Sequence, residues 1–166
     1  MGLLINLRTL DISENAFVGT LPTQVSDLVK LEKFHVHQFF GNLTGTLPAF
    51  DKFPNLIEFS IDSNEISGPI PATFLKGVAN KSQHLKIGLS FNKLTGSIPL
   101  ELAAFLDVDI ELEGNQIIHV PRELCQKSMW MNGEVGLLQS CDAILCPSNT
   151  WNLYGRASAR AASGCQ

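Results

Sequence analysis

No apolar run free of charge approaches the roughly 18 residues that a membrane-spanning helix needs, so the 166-residue sequence predicts no span within itself. Basic residues are sparse and scattered: 12 Lys+Arg stand against 16 Asp+Glu, for a formal charge of −4, and no Lys/Arg block occurs. That balance argues against nucleic acid or an anionic membrane surface as the main partner. Met1 to Leu10 lack the basic start, apolar middle and small-residue cleavage site of a secretory signal, which leaves an intracellular protein or a mature or truncated chain. Catalytic signatures are missing as well. There is no G-x-S-x-G, no H-E-x-x-H, no phosphate-binding loop, no dinucleotide fingerprint and no kinase signature, so the sequence predicts no enzyme, no catalytic residues and no cofactor. Cysteine is absent from the first three quarters of the chain: Cys125, Cys141, Cys146 and Cys165 all fall near the C-terminus.

What remains is 45% apolar and 17% charged, ample for one core, and it is repetitive. LDISENAFVGTLP (Leu10 to Pro22), FSIDSNEISGPIP (Phe59 to Pro71) and IGLSFNKLTGSIP (Ile87 to Pro99) share length and apolar, Asn, Gly and Pro positions. FHVHQFFGNLTGTLP (Phe34 to Pro48) is a longer copy and IELEGNQIIHVP (Ile110 to Pro121) a shorter one lacking the Gly. The closing prolines Pro22, Pro48, Pro71, Pro99 and Pro121 lie 26, 23, 28 and 22 residues apart, inside the period of a leucine-rich repeat.

Each block has a physical reading. Apolar residues separated by one, as in Leu10 and Ile12 or Phe59 and Ile61, share one face of a short strand. Asn15, Asn64, Asn92 and Asn115 follow at a fixed offset, where a buried amide can bond the backbone of adjacent coils, an asparagine ladder; ordinary turn asparagines are the alternative. Gly-x-Leu/Ile-Pro then supplies a permissive backbone, a core residue and a rigid extended exit. Val25, Leu28, Phe74, Leu102 and Phe105 bring the chain back in short helical or irregular turns. The fold class expected is an α/β repeat solenoid, right-handed, with short parallel strands on its concave side. Repeats occupy 1–121 and a cysteine-containing cap 122–166. The departures are Gly41 in place of a ladder Asn, with local distortion expected there, and His84 and Asp107 in place of leading leucines. The insertion LKGVANKSQ, Leu75 to Gln83, is expected to bulge at the convex side or edge.

The pattern L-x-x-L-x-[LI]-S-x-N-x-[FLI]-x-G-x-[LI]-P resembles the plant-specific class of leucine-rich repeats, found in receptor-kinase ectodomains, receptor-like proteins and secreted inhibitors. CDAILCPSNTWNLYGRAS, Cys141 to Ser158, is similar to a segment that follows such repeats in secreted or membrane-anchored diatom proteins. Both likenesses imply recognition, and an extracellular or cell-surface location with the parent chain secreted or single-pass; any kinase would lie outside this segment. Four clustered cysteines read as a disulfide-stapled end cap, with Cys125–Cys141 and Cys146–Cys165 favoured by locality alone among three pairings; a zinc site and free thiols are the rivals. Sequons at Asn42 and Asn80 are compatible with glycosylation. Met1 opens inside a coil and the chain stops one residue after Cys165, which reads as truncation at both ends.

With this register the outward positions hold three cations, Arg8, Lys33 and Lys86, and eight anions, Asp11, Glu14, Glu32, Glu58, Asp62, Asp109, Glu111 and Glu113. An anionic strip suits a peptide or protein ligand with basic groups; a solvated, non-binding face is the plain alternative. The candidate ligand-binding residues are Asp11, Glu14, Lys33, His35, His37, Glu58, Asp62, Lys86, Phe91 and Glu111. His35 and His37 point the same way beside Asp11 and Asp62, a geometry open to metal or acid sensing, but with no third imidazole no metal is expected. The expected function is a non-catalytic recognition module, the C-terminal part of a receptor-like ectodomain working with a peptide ligand and a co-receptor. A structural or adhesion scaffold and a secreted enzyme inhibitor are the alternatives.

Overall fold

The computed structural model describes residues 4–37, 42–125 and 127. Ten short strands follow in chain order: β1 (Thr9–Asp11), β2 (Val18–Thr20), β3 (Lys33–His35), β4 (Asn42–Thr44), β5 (Glu58–Ser60), β6 (Ser67–Pro69), β7 (Leu85–Gly88), β8 (Lys93–Ser97), β9 (Val108–Glu111) and β10 (Gln116–His119). Odd strands form one parallel sheet in the order β1-β3-β5-β7-β9, and even strands pair beside it as β2-β4 and β6-β8-β10. Every coil therefore contributes one strand to each side, and the chain is a parallel-stranded leucine-rich-repeat solenoid.

Pairing aligns Leu10, Phe34, Phe59, Ile87 and Ile110 in one inward column. Phe34, Phe59, Ile87 and Ile110 are fully buried, whereas Leu10, in the first described coil, is only half-buried. The return segments form 3-10 turns at Thr23–Asp27 and Leu100–Ala104, each entered from an extended proline, Pro22 or Pro99. Their apolar residues Val25, Leu28, Leu102 and Phe105 close the core from the far side. At its centre Phe59 stacks on Phe34 at 5.3 Å, meets Phe50 at 5.2 Å, and takes Phe74 edge-on at 5.4 Å, geometries that aromatic quadrupoles favour.

The ladder residues differ in what they hold. The Asn64 amide donates to Val36 O of the preceding coil at 2.8 Å and its Oδ1 accepts from Leu43 N. Asn92 reaches Ile61 O and Ile66 N, and Asn115 reaches Leu89 O and Leu94 N. All three are buried. Asn15 is exposed and its amide donates to Ile12 O and Ser13 O of its own turn. Just before each ladder Asn the backbone turns left-handed, with φ of +54° at Glu14, +58° at Ser63, +55° at Phe91 and +70° at Gly114.

One expectation changes in part. The Leu75 to Gln83 insertion packs in part against the core: Leu75 and Val78 are buried, and Leu75 N and Ala79 N donate to Ala49 O and Pro54 O, while Lys76, Ala79, Asn80 and Ser82 stay exposed. Gly77 makes this possible, since a Cβ there would overlap the Asp51 carbonyl. At the replaced leucines, His84 Nδ1 and Asp107 Oδ1 meet at 3.1 Å at the surface, while Leu85 and Val108 take the buried positions and Leu106 is left exposed. Gly41 lies outside the described residues, as do Cys141, Cys146, Cys165 and nearly all of 122–166, and with them the expected disulfides. No helix among the described residues is long and apolar enough to cross a membrane.

Candidate functional site

The odd-numbered sheet turns three columns of side chains away from the core. Strand pairing places Thr9, Lys33, Glu58, Lys86 and Asp109 in the first, and Asp11, His35, Ser60, Gly88 and Glu111 in the second. The third, two residues on, holds Ser13, His37, Asp62, Ser90 and Glu113; backbone bonds from Glu14 N to His37 O, Ser63 N to Ser90 O and Phe91 N to Glu113 O keep it in step. Neighbours in a column lie about 4.8 Å apart, so opposite charges interact across strands.

All three outward cations meet an acid in this way. Arg8 pairs with Glu32, Lys33 Nζ with Glu58 at 3.1 Å and Lys86 Nζ with Glu111 at 3.4 Å. His35 lies between Asp11, 3.8 Å from its Nδ1, and Glu58, 3.4 Å from its Nε2. That 3.4 Å approach lacks hydrogen-bond alignment, and Nε2 is a buried nitrogen without a hydrogen-bond partner. His37 Nδ1 meets Ser13 Oγ at 2.9 Å. Among the described residues no three His, Cys, Asp or Glu side chains are arranged to hold a metal ion.

Six of the ten candidate residues converge on one depression of about 150 Å³: His35, His37, Glu58, Asp62, Lys86 and Glu111, over a floor that includes Ser60 and Gly88. Asp11 and Lys33 stand outside its lining and touch it through His35 and Glu58. Glu14 and Phe91 are exposed, one register position beyond the third column. Phe91, a bulky residue at positive φ and so in a sparsely populated conformation, lies against Gly114, where a Cβ would overlap its ring.

The carboxylates differ in electrostatic setting. The Ser13 backbone amide holds Asp11 below the usual carboxylate range. Burial alone would raise Glu58, but the Lys33 hydrogen bond and the His35, Lys33 and Lys86 charges outweigh it and hold Glu58 low. Glu111 beside Lys86 raises the ammonium pKa. Asp62 goes the other way: burial pushes it up, against hydrogen bonds from Ser60 Oγ at 2.5 Å and Ser90 N at 2.7 Å. Its carboxylate leans down over Gly88, where any Cβ would overlap Oδ2. Asp62 is thus not an outward-projecting acid, and the glycine that lets it fold inward is a site residue missed by the charge count. A glycine at an outward strand position was the available signal.

A consequence for stability follows from the raised Asp62 pKa. The folded state favours the protonated acid, so stability falls as pH rises from the ordinary value of 3.8 through the raised folded value, and the penalty is fully present above it. Asp62→Asn keeps an acceptor for Ser90 N and removes the charge. The variant is expected to melt above the parent at pH 7, with the gap closing as pH falls below 4, checked by thermal scans of both proteins.

A family model described as Leucine Rich Repeat matches residues 6–28. The chain is 33% identical over 116 residues to pollen receptor-like kinase 2 of Arabidopsis thaliana, covering 68% of this chain and 16% of that protein. It therefore spans about a sixth of the length of that curated relative. Among solved structures it is similar to the PEPR1–AtPEP1 complex, with a TM-score of 0.65, 28% identity, and coverage of 78% of this chain and 18% of the other. It is also similar to the Arabidopsis receptor kinase HAESA in complex with the peptide hormone IDA and the co-receptor SERK1, with a TM-score of 0.59, 25% identity, and coverage of 75% and 21%.

Proposed function

On the premise that this chain is a leucine-rich-repeat solenoid, we propose that it is a non-catalytic module of a receptor-like ectodomain that recognises an extended peptide along its odd-numbered sheet. The observation that carries this reading is the depression between β3 and β9, where six charged or imidazole side chains from four adjacent strands converge on an open sheet face. Such a face is preformed, because each side chain is held by strand register together with an ion pair or a hydrogen bond, so binding involves little backbone change. Similarity to HAESA in its complex with a peptide hormone and a co-receptor supports the same reading and extends it to a co-receptor for this protein. The module belongs to the C-terminal part of its ectodomain, outside the cell, in a parent that is secreted or crosses the membrane once. A stapled cap over 122–166 and glycans at Asn42 and Asn80 accompany that location. Asn80 is exposed, in a turn where its Oδ1 accepts from Ser82 N at 3.0 Å, which suits a modified residue.

The test is a panel of synthetic secreted-type peptides, of both charge signs, titrated against the immobilised 166-residue chain. A saturable ligand is expected, with basic peptides preferred. Glu58→Lys, which sets a third cation between Lys33 and Lys86 in one column, should weaken that ligand more than about tenfold while the circular-dichroism spectrum stays unchanged. A panel without any binder, or a ligand indifferent to Glu58→Lys, would remove this face from the function.

A further inference from the structure

The depression contains one acid whose surroundings are unlike those of the others. Glu58 has Lys33, and Glu111 has Lys86. Asp62 has neither: its hydrogen-bond partners are a neutral hydroxyl and a neutral backbone amide, Ser60 Oγ and Ser90 N, and the charge that acts on it is a like one, Glu111. A half-buried carboxylate without a counter-ion is costly. The sequence nevertheless accommodates it, with Gly88 leaving room for the carboxylate to lie against the sheet.

We infer that Asp62, lying over Gly88, is the anchor for one cationic side chain of the ligand, an arginine or lysine that descends into the depression and supplies the missing counter-charge. This rests on the reading of the face as a peptide-binding surface and names the group that it selects. Charge complementarity fixes the occupant. Asp62 draws a cation in, Glu111 faces the same space, and Lys86, already held by Glu111, repels a second cation at the rim. A side chain suits this position better than a main-chain amine, because the carboxylate lies down against Gly88 at the end of β7, beside His37 in the lining of the depression, rather than projecting from it. The stability sacrificed at Asp62 is what a binding group withheld from internal pairing entails.

The experiment titrates the isotopically labelled 166-residue chain with four small probes and follows the backbone amide resonances of Gly88 and Ser90. N-acetyl-arginine amide and N-acetyl-lysine amide carry the side-chain cation, glycinamide carries only a terminal ammonium, and N-acetyl-glutamine amide is the neutral control. The expected result is saturable shifts with the first two, at affinities on the order of millimolar, as befits a single contact. Asp62→Asn should weaken them at least about tenfold while raising the melting temperature, and Asp27→Asn, on a distant exposed acid, should leave them unchanged. Equal response to the glutamine probe, no response to either cation, or unchanged affinity in Asp62→Asn would overturn the anchor. A response to glycinamide as strong as to the arginine probe would overturn its assignment to a side chain. The two readings fail separately. A peptide whose affinity depends on Glu58 but not on Asp62 removes the anchor alone, whereas probe binding through Asp62 with no peptide ligand in the panel removes the recognition module alone.

Discussion

Phe59→Ala is expected to destabilise the solenoid by about 3–5 kcal/mol, the range for deleting a large buried aromatic. Phe59 has no exposed surface and its ring touches those of Phe34, Phe50 and Phe74 at centroid distances of 5.2 to 5.4 Å. Alanine would leave a cavity bounded by parts that cannot collapse into it. Phe34 and Phe59 are pinned by strand pairing, while Phe50 stacks in turn on Phe53 at 5.8 Å. In a solenoid each coil contacts only its neighbours, so a defect in the middle coil divides the cooperative unit. A fall of roughly 10 °C or more in Tm is therefore expected, read by thermal and denaturant unfolding. Phe59→Leu should lose far less, because it keeps most of the buried volume, and Leu106→Ala, at an exposed position, should be close to neutral. A Phe59→Ala protein that melts within 2–3 °C of the parent, a shift worth only about 1 kcal/mol, would contradict the described core.

The second large effect is expected at Asn92. Its amide donates to Ile61 O, Leu89 O and Ser90 O, and its Oδ1 accepts from Ile66 N at 3.0 Å, all within a buried site. Asn92→Ala orphans the Ile66 amide where water does not reach and strips one of two donors from Ile61 O, Leu89 O and Ser90 O, which keep Asn64 Nδ2, Asn115 Nδ2 and Ser63 N. The orphaned amide costs about 1–3 kcal/mol and each lost hydrogen bond about 0.5–1.5 kcal/mol, and a total of roughly 2–4 kcal/mol is expected after partial relaxation. Asn15→Ala should cost no more than about 0.5 kcal/mol, within the usual range for a surface substitution, because the bonds of Asn15 stay within its own exposed turn. Comparing the two denaturation midpoints checks this. Equal losses would mean that the bonds between coils contribute nothing beyond the local turn.

That contrast shows where reading the sequence stops. Asn15 and Asn92 stand at the same position of the same motif. They differ because Asn92 has a coil beneath it, from which Ile61 O and Ile66 N are presented, whereas among the described residues no such coil faces Asn15. The charges behave alike. Counting outward charges gives an anionic balance but not its arrangement, in which Lys33, Glu58 and Lys86 alternate in one column. The alternation is invisible along the chain because its members lie 25 and 28 residues apart.

The amino-acid sequence is enough to establish the repeat, the parallel architecture and the inward columns, because these follow from short-range rules. Residues two apart share a strand face, Gly and Pro punctuate each coil, and an apolar pair recurs at every coil. It also placed the ten candidate residues on strands or directly after them. Which of them meet depends on how neighbouring coils stack. Coils of unequal length carry their own slack, taken up in the Leu75 to Gln83 segment by packing Leu75 and Val78 into the core, so column membership is set by hydrogen-bonded register rather than by counting. Register also put Gly88 beside Asp62 and so turned an outward acid into a half-buried one. Burial and counter-charge are properties of neighbouring coils, and a single strand does not encode them.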